Sequence, residues 1–267
     1  MTDTAVPVLA LEHLSKTFPG VQALDDVSFD VRRGEIHCLV GENGAGKSTL
    51  IKILSGVYPA DSFDGRIAID GEPRRWKTAA DAAARGIAAI YQELSLLPEL
   101  TVAENVYLGR QPTLPGLPAI DWDRLDAQAA ELLAGLDMAV SPTARVADLS
   151  VSERQQVEIA KAISRHARIL ILDEPTSALP DSEVTRLYET LAALRRQGVA
   201  IVYITHRLDE VFALADRVSV LRDGRLIATR PIGEMTRRDL VALMVGHDVE
   251  EHPDHASLAA GETALSV

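Results

Sequence analysis

The first third of the chain carries short apolar runs separated by glycines and charged turns, a pattern typical of β-strands. Residues 24–31 alternate partly between apolar and polar side chains, as a strand with one buried face does. The segment that starts near Lys47 and the alanine-rich segment 78–85 are predicted to be helical. We expect a turn at 16–20 and strands at 8–14, 24–31, 35–40, 65–71 and 86–91.

The pattern becomes helical between residues 93 and 166. Thr101 is followed three residues later by Glu104, which is the capping box that starts many helices. A proline-rich loop precedes a helix predicted at 122–135, and a further helix is expected at 156–164. We therefore predict that residues 93–166 form a mostly helical insertion in an α/β core.

Strands and helices alternate again in the last third, which is typical of a parallel sheet covered by helices. Asp223 and Gly224 give a hairpin turn signal. The predicted fold class is α/β, with one domain at 1–247 and a tail at 248–267 that we expect to fray. The predicted strands are 168–173, 198–205, 218–221 and 225–229, and the predicted helices are 182–196, 208–214 and 236–245.

Composition limits what the chain can do. Its 267 residues are 47% apolar, enough to bury a large core, and its formal net charge of −12 argues against a general nucleic-acid surface. The single cysteine, Cys38, excludes a disulfide framework and suits a reducing compartment. The sequence shows no leader pattern and no apolar stretch near 18 residues, so we expect any membrane role to come through a partner.

Residues 41–49 fit the pattern G-x-x-x-x-G-K-[ST]. The glycines let backbone N–H groups point into one concave nest, Lys47 adds charge for the β- and γ-phosphates, and the Ser48 hydroxyl can ligate Mg²⁺. The alternative is a glycine-rich turn that holds a lysine by chance, but a strand before it and a helix after it favour a phosphate loop. The candidate nucleotide-binding residues here are Gly41, Glu42, Asn43, Gly44, Ala45, Gly46, Lys47, Ser48 and Thr49.

The strand predicted at 168–173 has an apolar centre and leads into two adjacent carboxylates, Asp173 and Glu174. In a P-loop fold the first would support Mg²⁺, and the second would act on a water in line with the γ-phosphate. Taken alone, the pair could be a solvated acidic turn, but the upstream phosphate loop favours the catalytic interpretation.

Ser150 and Glu153 form a second capping box. Helix initiation alone explains this pattern. A capped N-terminus with free N–H groups and serine hydroxyls is also an anion site, so both interpretations stay open at this point.

Five motifs in a fixed order make the chain similar to the ABC-type ATPases. In chain order they are 41–49, Gln92, 149–150, 173–174 and His206. The resemblance runs from about residue 8 to 245, nearly the whole chain. It implies a P-loop NTPase core of the ABC type, with an N-terminal antiparallel β part and an inserted helical subdomain.

The resemblance also implies roles for single residues. Gln92 looks like the residue that contacts Mg²⁺ and the attacking water, and His206 looks like the switch histidine. Residues 149–153 resemble the signature motif, in which Ser150 and Ser152 would clamp the γ-phosphate of ATP held by another cassette. A histidine after a strand is structural in many proteins, and the place of His206 in the series is what favours the functional role.

Phe18 stands where the family has an aromatic that stacks on adenine, although it could be an ordinary core aromatic. Four positions depart from the family pattern, because Val151, Ser152 and Glu153 replace the last three residues of the usual signature L-S-G-G-Q and Pro180 departs in the D-loop. Ser152 replaces a glycine of the signature motif and adds a Cβ near a phosphate, and Pro180 replaces the usual aspartate of the D-loop at 177–181.

Three segments, 16–24, 91–105 and 204–212, are similar to the ATPases of monosaccharide importers of the ribose, xylose, galactose and fructose type. This resemblance implies an ATPase that uses ATP and Mg²⁺ and drives membrane permease subunits, with an external sugar-binding protein as an indirect partner. It implies a cytoplasmic location on the inner face of the membrane, and a cassette that pairs with a second copy.

Two other classes of function compete with transport. A soluble ABC-type ATPase acting on DNA or ribosomes would normally carry a long coiled-coil insertion or two linked cassettes, and neither pattern occurs in this sequence. A regulatory module that binds nucleotide without turnover would not need Glu174 and His206, although the exchange at Ser152 is compatible with it.

Overall fold

The computed structural model describes residues 6–246, so the predicted tail at 248–267 lies outside the described residues. These residues form ten β-strands and eight α-helices. No helix among them is long and apolar enough to cross a lipid bilayer. The strands build two sheets, one antiparallel and one mostly parallel.

The antiparallel sheet has the order β2-β1-β4-β5. Its strands are β1 (Leu9–Phe18), β2 (Val21–Val31), β4 (Asp64–Ile69) and β5 (Glu72–Arg74). The turn predicted at 16–20 was wrong in its first half, because residues 16–18 pair with β2 and only the last two residues turn. The sequence analysis also missed β5, a three-residue strand whose central proline is tolerated only because it lies at a sheet edge.

The second sheet has the order β10-β9-β3-β8-β7-β6, and only β10 runs antiparallel to its neighbour. Alternate residues of its central strands enter two different apolar clusters, so both faces are buried. Continuous apolar runs such as Ile169–Asp173 are the result. Its strands are β3 (Ile36–Val40), β6 (Ile87–Ile90), β7 (Ile169–Asp173), β8 (Ala200–Ile204), β9 (Arg217–Arg222) and β10 (Arg225–Pro231).

Different elements pack against the two faces of this sheet. One apolar cluster joins helix α1 (Lys47–Leu54) and the antiparallel sheet to the first face. The other face packs against α3 (Val102–Val106), α6 (Asp181–Arg196) and neighbouring helices. Cys38, in the central strand β3, is fully buried in that second cluster. The remaining helices are α2 (Ala79–Ala84), α4 (Trp122–Gly135), α5 (Val151–Ile163), α7 (Leu208–Leu214) and α8 (Arg237–Val245).

Residues 93–166 contain α3, α4, α5 and a short 3-10 helix, with a small apolar cluster of their own around Leu125. Helix α5 begins at Val151, five residues before its predicted start at 156. The reason is that Ser150 and Glu153 form a reciprocal capping box, which places the helix start directly after Ser150.

The two tryptophans of the chain offer a test of the packing. Trp76 is 2% exposed, and its indole N–H donates to the carbonyl of Ile53 at 2.9 Å, whereas Trp122 is 53% exposed. We expect Trp76→Phe to lower the free energy of unfolding by about 1–3 kcal/mol, because it removes buried volume and a hydrogen bond. Trp122→Phe should change it by less than about 0.5 kcal/mol. Chemical denaturation followed by circular dichroism measures both, and equal effects would contradict this packing.

Candidate functional site

The loops that carry most of the candidate site residues lie at one edge of the parallel sheet. Strands β3, β8, β7 and β6 are neighbours and run in the same direction, so their carboxyl ends share one edge. The loop 41–46 and the first turn of α1 follow β3. Gln92 lies two residues after β6, and His206 lies two residues after β8. Asp173 ends β7, and Glu174 follows it. Open α/β sheets bind their ligands at this edge.

The phosphate loop is closed by its own lysine. The Lys47 side chain is buried, and its Nζ donates to the carbonyls of Gly41 at 2.7 Å and Glu42 at 3.0 Å. Helix α1 begins at Lys47 after Gly46, and no side chain caps its first N–H groups. The exposed Ser48 is the second residue of the same helix. Free N–H groups, the positive end of the helix and a lysine together favour a bound anion.

Gly46 is the point at which this loop admits no side chain. Its φ is +103°, and a Cβ would lie 2.5 Å from the carbonyl oxygen of Ala23 and 2.8 Å from Leu24. Glycine alone therefore combines this left-handed backbone with the close approach of β2.

The acidic and basic groups of the site shift each other's pKa. Burial lowers the pKa of Lys47, and the charges of Glu174 and Asp173 oppose that shift. Burial raises the pKa of Asp173, the charge of Glu174 raises it further, and Lys47 and Lys52 oppose the shift. Two adjacent carboxylates therefore lie in partly buried surroundings where a further cation would be favourable.

A magnesium ion fits this donor set only with help from a ligand. No group of three or more His, Cys, Asp or Glu side chains within residues 6–246 is placed to hold a metal ion. Ser48 and Asp173 offer oxygen atoms, and Mg²⁺ commonly takes one or two protein oxygens together with phosphate oxygens and water. The site therefore suits Mg²⁺ that arrives with a polyphosphate.

Glu174 and His206 are in direct contact. Their Oε1 and Nδ1 atoms lie 3.0 Å apart, with side chains 24% and 57% exposed. Glu174 has a φ of +47°, which is uncommon for a residue other than glycine, and its N–H donates to the carbonyl of Ile204 at 3.0 Å. This strained backbone directs a carboxylate at a histidine on the neighbouring loop, an arrangement found at functional sites.

Gln92 and Phe18 occupy less central positions. Gln92 is exposed on the loop after β6. Phe18 ends β1 and contacts Tyr58 edge to face, with ring centroids 5.6 Å apart. The ammonium of Lys16 lies 4.9 Å from the centre of the Phe18 ring. The sequence analysis missed this contact with Tyr58, which lies 40 residues from Phe18 in the sequence and carries no motif.

Ser150 and Ser152 lie at the start of α5, where Ser150 is the N-cap and Ser152 belongs to the first turn. The Ser150 hydroxyl accepts from the N–H of Glu153, so its capping role is present, and Ser152 is buried. The amide of Gln155 donates to the carbonyl of Pro175 at 2.9 Å, which joins this first part of α5 to the loop after Glu174.

A further group escaped the sequence analysis altogether. Glu210, on α7, is 1% exposed and accepts hydrogen bonds from Thr176, Tyr203 and Thr205. An acidic residue in the first turn of a predicted helix normally faces water, so the sequence contains no signal for its burial.

Comparison with known proteins identifies the family of this chain. Residues 24–177 match a protein-family model described as ABC transporter. The ribose import ATP-binding protein RbsA 1 of Streptomyces avermitilis is 52% identical over 260 residues, which are 97% of this chain and 49% of the relative. The xylose import ATP-binding protein XylG of Thermoanaerobacter pseudethanolicus is 48% identical over 97% of this chain and 51% of its own length. The chain spans about half the length of the curated relatives it matches.

Solved structures share the fold. A nucleotide-free ATP-binding cassette from an ABC transporter superposes with a TM-score of 0.73 at 27% identity, covering 84% of this chain and 91% of that one. The ADP conformation of another cassette gives a TM-score of 0.77 at 25% identity, covering 90% of this chain and 99% of that one. The predicted fold class is therefore confirmed.

Two adjacent glutamines of α5 offer a matched test of the packing beside the site. Both are buried, but the Oε1 of Gln156 has no hydrogen-bond partner among the described residues, whereas Gln155 donates to Pro175. We expect Gln156→Met to raise the free energy of unfolding by about 1 kcal/mol, because it removes an unpaired buried oxygen. Gln155→Met should lower it by about 1 kcal/mol. Denaturant unfolding distinguishes the two, and a loss of stability in Gln156→Met would contradict the unpaired oxygen.

Proposed function

The chain belongs to the ABC transporter family, and on that premise we propose that it binds and hydrolyses ATP to drive the import of a monosaccharide. The observation that carries the proposal is the 3.0 Å contact between Glu174 and His206 at the same sheet edge as the phosphate loop. The relatives described above are named ribose import and xylose import ATP-binding proteins, which supports a sugar as the cargo.

In this proposal the phosphate loop binds the triphosphate. The first N–H groups of α1 donate to phosphate oxygens, and Lys47 exchanges its two carbonyl partners for the β- and γ-phosphates. Ser48, Asp173 and Gln92 would hold Mg²⁺, which would neutralise phosphate charge when bound. Phe18, held edge-on by Tyr58, stacks on the adenine.

Glu174 acts on the attacking water. Its carboxylate accepts a hydrogen bond from the water and orients it toward the γ-phosphate, as a general base or positioning group. His206 holds this carboxylate in one orientation through Nδ1. The strained backbone of Glu174 directs its carboxylate toward His206 at the edge of the sheet where the phosphate loop also lies.

We propose that two copies close around two ATP molecules. Ser150 and Ser152, at the N-terminus of α5, would then clamp the γ-phosphate held by the other copy. The signature motif has glycine at position 152. The Cβ of Ser152 would therefore leave less space for that phosphate than the motif does. Residues 177–181 would face the other copy in the same arrangement.

We also propose that the permease docks beside Gln92. A cavity of about 410 Å³ lies between α2, β6 and α5, and Tyr91, Ser95 and Lys161 are among its lining residues. Glu158 accepts from the backbone N–H of Ser95 at 2.6 Å, so the segment after Gln92 is held against α5. The helical subdomain at 93–166 would thus meet the permease on the inner face of the membrane. An external binding protein and the permease would select the sugar.

Replacing the carboxylate of Glu174 tests the chemistry. We expect Glu174→Gln to lower ATP turnover by about 10²- to 10⁴-fold, because an amide cannot accept a proton from water. ATP binding should be retained, since the phosphate loop is untouched. Phosphate release and equilibrium ATP binding measure the two effects. Glu189→Gln, the same replacement on the exposed part of α6, is the matched control. Full turnover in Glu174→Gln would overturn the assignment.

The mass of Glu174→Gln in solution tests the pairing of two copies. Because this variant retains ATP, light scattering should show the mass of a dimer with Mg·ATP and of a monomer without it. Adding Lys47→Ala to the same protein should abolish the change, since the phosphate loop then loses its cation. An unchanged mass at ATP concentrations that saturate binding would refute the homodimer.

A further inference from the structure

Glu210 is a carboxylate buried beneath the two loops that carry Glu174 and His206. Its Oε2 accepts from the hydroxyls of Tyr203 at 2.9 Å and Thr205 at 2.8 Å. Its Oε1 accepts from the hydroxyl of Thr176 and lies 3.2 Å from Nη1 of Arg207. With 1% exposure, Glu210 depends on these four groups in place of water.

The chemistry of the four partners calls for a carboxylate at this position. The three hydroxyls donate hydrogen bonds, and the Arg207 guanidinium adds a positive charge. A carboxylate suits all four partners, because it accepts through both oxygens, carries the opposite charge and donates nothing. Burial raises the pKa of Tyr203 and the charge of Glu210 raises it further, so the phenol remains a donor. An amide in place of the carboxylate would direct an NH₂ group at one set of donors.

The same hydrogen bonds fix the backbone on both sides of His206. Thr205, which precedes it, donates to Glu210 and accepts from the N–H of Arg207 at 3.0 Å. Arg207, which follows it, pairs with Glu210 through its guanidinium. Both neighbours of His206 are therefore attached to one buried carboxylate.

The loop of Glu174 is attached to the same carboxylate. Thr176 lies two residues after Glu174, is 3% exposed and donates to Glu210. The N–H of Glu174 also donates to Ile204, two residues before His206. Glu210 thus joins the two loops from below, and the side chains of Glu174 and His206 meet above it.

We propose that Glu210 is a positioning residue that sets the separation of Glu174 and His206 by holding their loops through Thr176, Thr205 and Arg207. It touches neither nucleotide nor water in this role. The proposal rests on the proposed function, because a fixed separation matters only if Glu174 and His206 act together on the γ-phosphate.

The direct test is Glu210→Gln, which keeps the size of the side chain but replaces one acceptor with a donor. We expect kcat for ATP hydrolysis to fall about tenfold or more, because a buried acceptor is lost beneath the site. The Kd for ATP should stay within about threefold, because the phosphate loop connects β3 to α1 whereas Glu210 lies on α7. A purely structural role would change both quantities or the folded fraction instead.

Asp209→Asn is the matched control. Asp209 is the preceding residue on α7, its side chain is 74% exposed, and it pairs with Arg237 on the surface. The variant removes one negative charge from the same helix turn, so its kcat should equal that of the unaltered protein. Equal losses in both variants, or unchanged kcat in folded Glu210→Gln, would overturn the proposal.

A second pair of variants asks the same question without changing charge. Thr205→Ser keeps the hydroxyl that bridges Glu210 and Arg207, whereas Thr205→Val removes it at similar volume. We expect near-normal kcat in the serine variant and a loss of about tenfold in the valine variant. Equal kcat in the two variants would refute the role of the hydroxyl bridge.

Glu174→Gln, measured in the same assay, separates this proposal from the proposed function. If Glu174→Gln retains full turnover, the assignment of the reaction fails, and the role of Glu210 fails with it. If Glu174→Gln is inactive and Glu210→Gln is fully active, only the positioning role fails.

Discussion

The parallel pairing of β7 with β8 is the constraint on which the site depends. Its register places Asp173 opposite Ile204, and the N–H of Glu174 extends the pairing by one more hydrogen bond to that carbonyl. The two chains then diverge into loops at the same level of the sheet edge. His206 meets Glu174 because this register brings them together, and a shift of one residue would turn every side chain of the strand to the other face.

The sequence was informative where burial was strong and local. Strands β3, β7 and β8 are buried on both faces, so their short and mostly apolar runs predicted a covered parallel sheet. The motif at 41–49 predicted a phosphate-binding loop. The start of α5 was placed too late, although its capping box was visible in the sequence. The short β5 was missed because its proline is acceptable only at an edge, and edges are set by the topology.

The rest of the site depends on tertiary contacts that leave no periodic signal. The contact between Phe18 and Tyr58 joins a strand of one sheet to the segment after α1. The burial of Glu210 requires hydroxyls from β8 and from the loop after β7, and each of these alone is an ordinary residue. Glu174 and Glu210 therefore differ in their surroundings. The side chain of Glu174 is partly exposed on a strained backbone, whereas that of Glu210 is buried and has a partner for each oxygen.

The burial of Cys38 has a practical consequence. Its thiol is enclosed in the centre of the sheet, and burial together with the charges of Glu210 and Asp216 raises its pKa, so it stays protonated and out of reach of reagents. It is the single cysteine of the chain. A cysteine introduced at any exposed position would thus be the preferred target of a maleimide dye or spin label. The native sequence is ready for distance measurements between labelled copies without prior removal of a thiol.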